Sequence, residues 1–135
     1  MLVNRCVIIN DDGKVLLIKR SSSDRYAPGL WEFPGGKLEE GQDVSAALER
    51  EVLEETGLVV APITRIAYVE SQIIFDGPYK GLPYVIIIGT GKLIGGEVKL
   101  SEEHESYKWV TTKEGLELPL KDEIRKALSL ISRLS

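Results

Sequence analysis

The sequence predicts an α/β protein arranged as an α/β/α sandwich, and three observations lead there. Runs of β-branched and aromatic residues recur along the first 110 residues, one glutamate-rich helical segment interrupts them, and an amphipathic helical tail closes the chain. A chain of 135 residues with 43% hydrophobic and 28% charged residues fits one domain, 1–135, with a real core.

Taken in order, Leu2–Asn10 and Val15–Lys19 are β-type runs separated by Asn10-Asp11-Asp12-Gly13-Lys14, a strong turn signal, and predict a hairpin. Arg20–Leu30 is rich in Ser, Pro and Gly and reads as a surface loop, the kind of segment that carries substrate contacts. Arg20 and Arg25 are its candidate phosphate ligands. Trp31-Glu32-Phe33 is a short aromatic strand leading to Pro34-Gly35-Gly36-Lys37, where Lys37 is a third candidate for a substrate phosphate.

Val44–Thr56 contains no Pro or Gly and predicts a helix, with Asp43 placed to cap its start and Gly57 to end it in the left-handed conformation. At about 100° per residue, Glu51, Glu54 and Glu55 share one arc beside a stripe of Val44, Leu48 and Val52. Like charges at this spacing repel, and more strongly when partly desolvated. Arg50 supplies one positive charge against three carboxylates. A hard divalent cation with oxygen ligands, Mg2+ or Mn2+, would neutralise the surplus and use the Gly35 and Gly36 carbonyls too, since glycine lets the backbone approach closely. The alternative at this point is an ordinary solvated helix.

Val59–Phe75 reads as one long strand or two broken ones, with Pro62 near the start, and Asp76–Pro83 as a long turn. Tyr84–Ile94 is a nearly continuous apolar run, expected of a strand buried on both faces, one of them under the glutamate helix. Gly95-Gly96 breaks it, Val98–Leu100 resumes, and Ser101–Ser106 forms an acidic loop before the strand Tyr107–Val110, with His104 expected to be exposed. A short helical turn at Thr112–Leu116 and a packing helix over Lys121–Leu134, apolar at Ile124, Ala127, Leu128, Ile131 and Leu134, finish the chain.

From Gly36 the chain reads G-x5-Q-x7-R-E-V-x-E-E-x-G-L, which resembles the Nudix box, G-x5-E-x7-R-E-U-x-E-E-x-G-U with U aliphatic. Every defined position matches except Gln42, which replaces the first glutamate, and WEFPGGK resembles the MutT-like branch of that family. The resemblance implies the Nudix fold, an α/β/α sandwich with a central mixed β-sheet and the box as loop-helix-loop. It implies a hydrolase cleaving a diphosphate linkage in a nucleoside diphosphate derivative, foremost a nucleoside triphosphate, oxidised or not, to monophosphate and pyrophosphate. It assigns Gly36, Glu51, Glu54 and Glu55 to the metal, with a glutamate available to take a proton from water. Arg50 would hold a glutamate in its coordinating rotamer, and Gln42 would accept a hydrogen bond from Arg50 in place of a charge pair. In such proteins a glutamate from a distant loop often completes the site or acts as base, which makes Glu102, Glu103 and Glu105 candidates.

Other features narrow the function. The net charge of −4, from 17 Lys and Arg against 21 Asp and Glu, disfavours a nucleic-acid polymer as partner. No apolar run approaches the roughly 18 residues of a membrane span, and the N-terminal MLVNRCVIIN lacks the layout of a cleavable signal, so a cytoplasmic location is expected. Cys6 is the only cysteine, which leaves no intrachain disulfide, and it is expected to pack in the core. Ile73 and Ile74, where some branches of the family carry a diagnostic Pro or Tyr, disfavour ADP-ribose and dinucleoside polyphosphates. A nucleotide-sugar or ADP-ribose pyrophosphatase and a non-catalytic nucleotide-binding module remain the alternatives, and a homodimer is one option for the assembly.

Overall fold

The computed structural model describes residues 1–24 and 27–134. Its elements run β1 (Leu2–Ile9), β2 (Val15–Arg20), β3 (Trp31–Glu32), β4 (Gly35–Leu38), α1 (Val44–Thr56), β5 (Leu58–Val60), β6 (Arg65–Ile73), β7 (Pro83–Gly96), β8 (His104–Val110), α2 (Thr112–Gly115) and α3 (Asp122–Leu134). The sheet is mixed. β1 runs parallel to β7 from Leu2 opposite Val85 to Ile9 opposite Lys92, and antiparallel to β4 and β2. β2 also pairs with β3 and β8, while β5 and β6 both pair with β7.

Side-chain alternation along β1 and β2 feeds two cores, one on each face of the sheet. Cys6, Ile8, Leu16 and Ile18 pack under Leu48 and Val52 of α1. Val7, Val15, Leu17 and Ile88 pack with Trp31 and Phe33 under Ile124, Ala127 and Leu128 of α3. Helices on both faces make the expected sandwich, and Cys6 is fully buried.

The α1 boundaries follow the sequence. The Asp43 carboxylate accepts from the Ala46 N–H at 2.9 Å, and Gly57 ends the helix at φ 76°. Its buried stripe differs from the expected one, because Val44 is 38% exposed while Ala47 and Thr56 join Leu48 and Val52. Thr56 tolerates burial by donating its hydroxyl to the Val52 carbonyl at 2.6 Å.

Three further expectations are corrected. β7 continues through Gly95 and Gly96, since Leu58 pairs opposite Gly96. Val98–Leu100 forms no strand. Instead the Lys99 and Ser101 N–H groups donate to the Thr56 and Glu55 carbonyls, which moors this segment to the end of α1. His104 begins β8 and is buried rather than exposed.

The close approach of β4 to β1 fixes where the acidic helix sits. A Cβ on Gly35 would lie 2.1 Å from the Asn4 carbonyl oxygen and 2.6 Å from the Arg5 Cα, inside any tolerable contact. Gly35→Ala is therefore expected to destabilise the protein by at least about 3 kcal/mol in a urea melt, as a severe overpacking at a backbone contact. A loss under about 1 kcal/mol would mean that β4 does not lie this close to β1.

Candidate active site

α1 presents Glu51, Glu54 and Glu55 together, as the helical spacing predicts, and β4 closes one side of the group. The Glu55 carboxylate accepts from the Gly35 N–H at 2.8 Å. Gly36 lies against Glu51, since a Cβ there would sit 3.1 Å from the Glu51 Oε2. Arg50 reaches both remaining glutamates, Nη2 at 3.8 Å from Glu51 Oε1 and Nε at 3.6 Å from Glu54 Oε1.

This geometry strains the carboxylates electrostatically. Burial raises the Glu51 pKa, and the nearby Glu54 raises it further against the pull of Arg50, with Glu103 adding a smaller push. Glu103 thus stands out from the acidic loop as the carboxylate whose charge Glu51 feels. Burial pushes Glu55 up to about 7, opposed by the Gly35 N–H and by Arg5. A cation would relieve both groups, and every donor here is a hard oxygen, the set that suits Mg2+ or Mn2+. Among the described residues no three His, Cys, Asp or Glu side chains converge as a metal cage as they stand.

Other sequence candidates fall elsewhere. Glu105 accepts from the Ser22 N–H at 2.6 Å, which ties the acidic loop to the loop after β2. Glu102 is exposed. Gln42 is turned to Glu39 rather than Arg50: its side-chain amide oxygen accepts from the Glu39 N–H at 2.8 Å, and its backbone N–H donates to the Glu39 carbonyl. It braces the loop that precedes α1. Arg20 is held by two carboxylates, Glu32 Oε2 at 2.9 Å and Asp24 Oδ2 at 2.5 Å. Arg25 lies outside the described residues.

A cleft of about 800 Å3 opens beside β4, and Lys37, Arg20 and Lys121 line it with Phe75, Tyr79 and Tyr84. The Lys37 ammonium lies 5.3 Å from the centre of the Tyr79 ring. Phe75, 85% exposed, stands at the cleft with no core to cover it. Tyr84 at the cleft and Tyr68 of β6 are restrained by their hydroxyls. The Tyr84 hydroxyl donates to Gln72 and the Tyr68 hydroxyl to Glu70, both at 2.6 Å.

The sequence reading missed the buried hub between cleft and carboxylates. Glu32 is 1% exposed and meets His104 Nε2 at 2.8 Å, Arg20 at 2.9 Å, and Arg5 and Lys121 each at 3.3 Å. Burial alone would raise its pKa, but the His104 hydrogen bond and the charges of Arg5, Lys121 and Arg20 outweigh it and hold the carboxyl well below its ordinary value of 4.5. An ionised carboxylate only accepts, so His104 Nε2 is the donor. Arg5 ties the hub to the site: it donates to the Phe33 carbonyl at 2.9 Å, and its charge is felt at Glu55. The available signal was a glutamate between two core aromatics, together with Arg5 inside an apolar run.

Crowded, partly buried glutamates on α1 beside a cleft lined by basic and aromatic side chains suit a protein that handles an anionic small molecule. The family model described as "NUDIX domain" matches residues 2–131, and the chain belongs to the Nudix family as a Nudix hydrolase. It is 31% identical over 130 residues to "Nucleoside triphosphatase NudI" of Escherichia coli O139:H28 (strain E24377A / ETEC), covering 93% of this chain and 92% of that protein. Among solved structures it resembles the MutT protein from Methanosarcina mazei Go1, at 30% identity and TM-score 0.82, covering 99% of this chain and 94% of the other. It also resembles the MutT NUDIX hydrolase from Burkholderia pseudomallei, at 29% identity and TM-score 0.75, covering 97% and 98%. Among the described residues no helix is long and apolar enough to cross a membrane.

The hub yields a pH prediction. A carboxyl whose folded pKa lies below its unfolded one contributes stability above the unfolded value, and that contribution fades as pH falls. Wild-type stability should therefore drop as pH falls below about 4.5, and Glu32→Gln should remove this part of the drop while destabilising the protein at pH 7 by about 3–5 kcal/mol, because it strands buried cations. Urea melts from pH 7 to pH 3 check both, and a variant as stable as wild type at pH 7 would contradict the assignment.

Proposed function

We propose that this Nudix hydrolase converts a nucleoside triphosphate and water to nucleoside monophosphate and pyrophosphate, with Mg2+ or Mn2+ held at α1. The observation that carries this reading is the group of three glutamates beside Gly36, with Glu51 and Glu55 both raised in pKa by burial and crowding. The resemblance to NudI supports the triphosphate class.

Glu51, Glu54 and Glu55 would hold the cation with the Gly36 carbonyl. When bound, it would neutralise phosphate oxygens and lower the pKa of coordinated water. Arg50 keeps Glu51 and Glu54 within reach of one another and limits their repulsion. Of these glutamates Glu55, oriented by the Gly35 N–H, would take the proton as water adds to phosphorus and the anhydride P–O bond breaks. Lys37, whose ammonium rests on a ring rather than on a carboxylate, meets substrate phosphate across the cleft. Arg20 lines the same cleft with much of its charge answered by Glu32 and Asp24, so it contributes less. Phe75 and Tyr79 offer ring faces to the base. Glu103 is the loop carboxylate best placed to act with Glu51.

Incubation with Mg2+ and a panel of undamaged and oxidised nucleoside triphosphates, ADP-ribose and dinucleoside polyphosphates tests this. Pyrophosphate release is expected from triphosphates, abolished by EDTA and reduced on the order of 100-fold or more by Glu54→Gln. Release confined to ADP-ribose would overturn the substrate class, and no release above the Glu54→Gln control would overturn catalysis on this panel.

A further inference from the structure

The antiparallel pairing of β8 with β2 is interrupted at its end. Lys19 lies opposite Ser106, but Arg20 lies opposite His104, so the register steps over Glu105. Such a bulge sets two residues of one strand against one of the other and re-aims the side chains beside it. Here His104 turns inward. Its side chain is 1% exposed, while Glu103 and Glu105 on either side are exposed. Nε2 donates to Glu32 Oε2 at 2.8 Å, the same oxygen that accepts from Arg20 Nη1 at 2.9 Å. Glu105, passed over by the pairing, accepts from the Ser22 N–H.

The turn that precedes β8 is anchored at both ends. The Ser101 N–H donates to the Glu55 carbonyl at 3.1 Å, and the Glu103 carbonyl accepts from the Ser21 N–H at 2.9 Å, so the turn is strung between the acidic end of α1 and the chain just after Arg20. Glu103 lies between those anchors, and its charge reaches Glu51. Within Ser101–Ser106 only His104 is buried. Packing alone would not select histidine there, because Nδ1 is buried with no hydrogen-bond partner among the described residues, which costs stability. What the ring supplies and an apolar side chain could not is the Nε2 donor to Glu32.

We propose that His104 is a positioning residue for hydrolysis: its hydrogen bond to the buried Glu32 carboxylate fixes the turn so that the Glu103 carboxylate faces the glutamates of α1. This rests on the reading above in which Glu103 acts with Glu51. Glu32 is itself held by Arg5, Arg20 and Lys121, so the bond ties the turn to a rigid hub rather than to one side chain. Arg20 keeps Glu32 and Asp24 when His104 is replaced, so the cleft is spared and the effect falls on turnover.

His104→Phe and His104→Ala, which cannot donate, and His104→Gln, whose amide N–H can reach Glu32 in place of Nε2, test this in the full chain with Mg2+. On the triphosphate that wild type turns over, the two donorless variants are expected to lower kcat about 10- to 100-fold with KM changed less than about threefold, and His104→Gln to recover most of the loss. Glu103→Gln should slow wild type but add little in the His104→Phe background, because the turn no longer presents that carboxylate. Amide hydrogen exchange at Ser21 and Ser22 needs no substrate: both should exchange at least about tenfold faster in the donorless variants and return to the wild-type rate in His104→Gln. Circular dichroism checks folding, and whichever of the Phe and Ala variants folds is sufficient. An unchanged kcat, a Glu103→Gln effect that adds in full, or wild-type exchange at both serines overturns the proposal. A wild type inactive on every nucleotide overturns the function proposed above, and exchange at the two serines still decides whether His104 holds the turn.

Discussion

The hydrogen bond from the Gly35 N–H to the Glu55 carboxylate joins the sheet to the acidic helix, and the site depends on it. It forms because Gly35 has no side chain to hold β4 away from β1, where a Cβ would collide with the Asn4 carbonyl oxygen at 2.1 Å. Gly36 then comes against Glu51, and the next residue, Lys37, lines the cleft. One short strand thereby sets a carboxylate group and a phosphate-facing ammonium side by side. The helix alone could not achieve this, since a Glu-rich helix facing water keeps its carboxylates solvated and near their ordinary pKa values.

Glu32 performs the complementary task for positive charge. Arg5 of β1, Arg20 of β2 and Lys121 just before α3 are drawn together with His104 by the one buried carboxylate of Glu32. Such a cluster contributes little net stability relative to an apolar core, but breaking it leaves charges stranded, so it fixes geometry more than it strengthens the fold. Arg5 and Arg20 extend that geometry in two directions, toward Glu55 and into the cleft. A positive hub behind a negative site also limits the repulsion that the helix must tolerate.

Much of this was legible from local sequence. The 3.6-residue period placed Glu51, Glu54 and Glu55 together, Asp43 and Gly57 bounded α1, and Pro62 falls between β5 and β6 as a break in the strand run predicts. The glycine pair pointed to a close backbone approach. What escaped were contacts between residues far apart in the chain. His104 reads as one polar residue in an acidic loop, and only pairing of β8 with β2 brings it to Glu32, 72 residues away. Gln42 was read against Arg50 by family pattern, whereas a four-residue turn satisfied its amide oxygen locally at Glu39. Val44 shows the limit of a helical wheel: its angle matched the buried stripe, yet its side chain is 38% exposed at the first turn of α1.

The central claim is that α1 holds crowded, partly protonated carboxylates awaiting a cation. Isothermal titration of the metal-free protein with Mg2+ or Mn2+, in buffers of different ionisation enthalpy, tests it most directly. With Glu55 titrating at about 7, saturable binding should release about half a proton per cation at pH 7 and almost none at pH 9, and Glu55→Gln should abolish the release. Binding with no proton release at pH 7, or no saturable binding at all, would contradict the account.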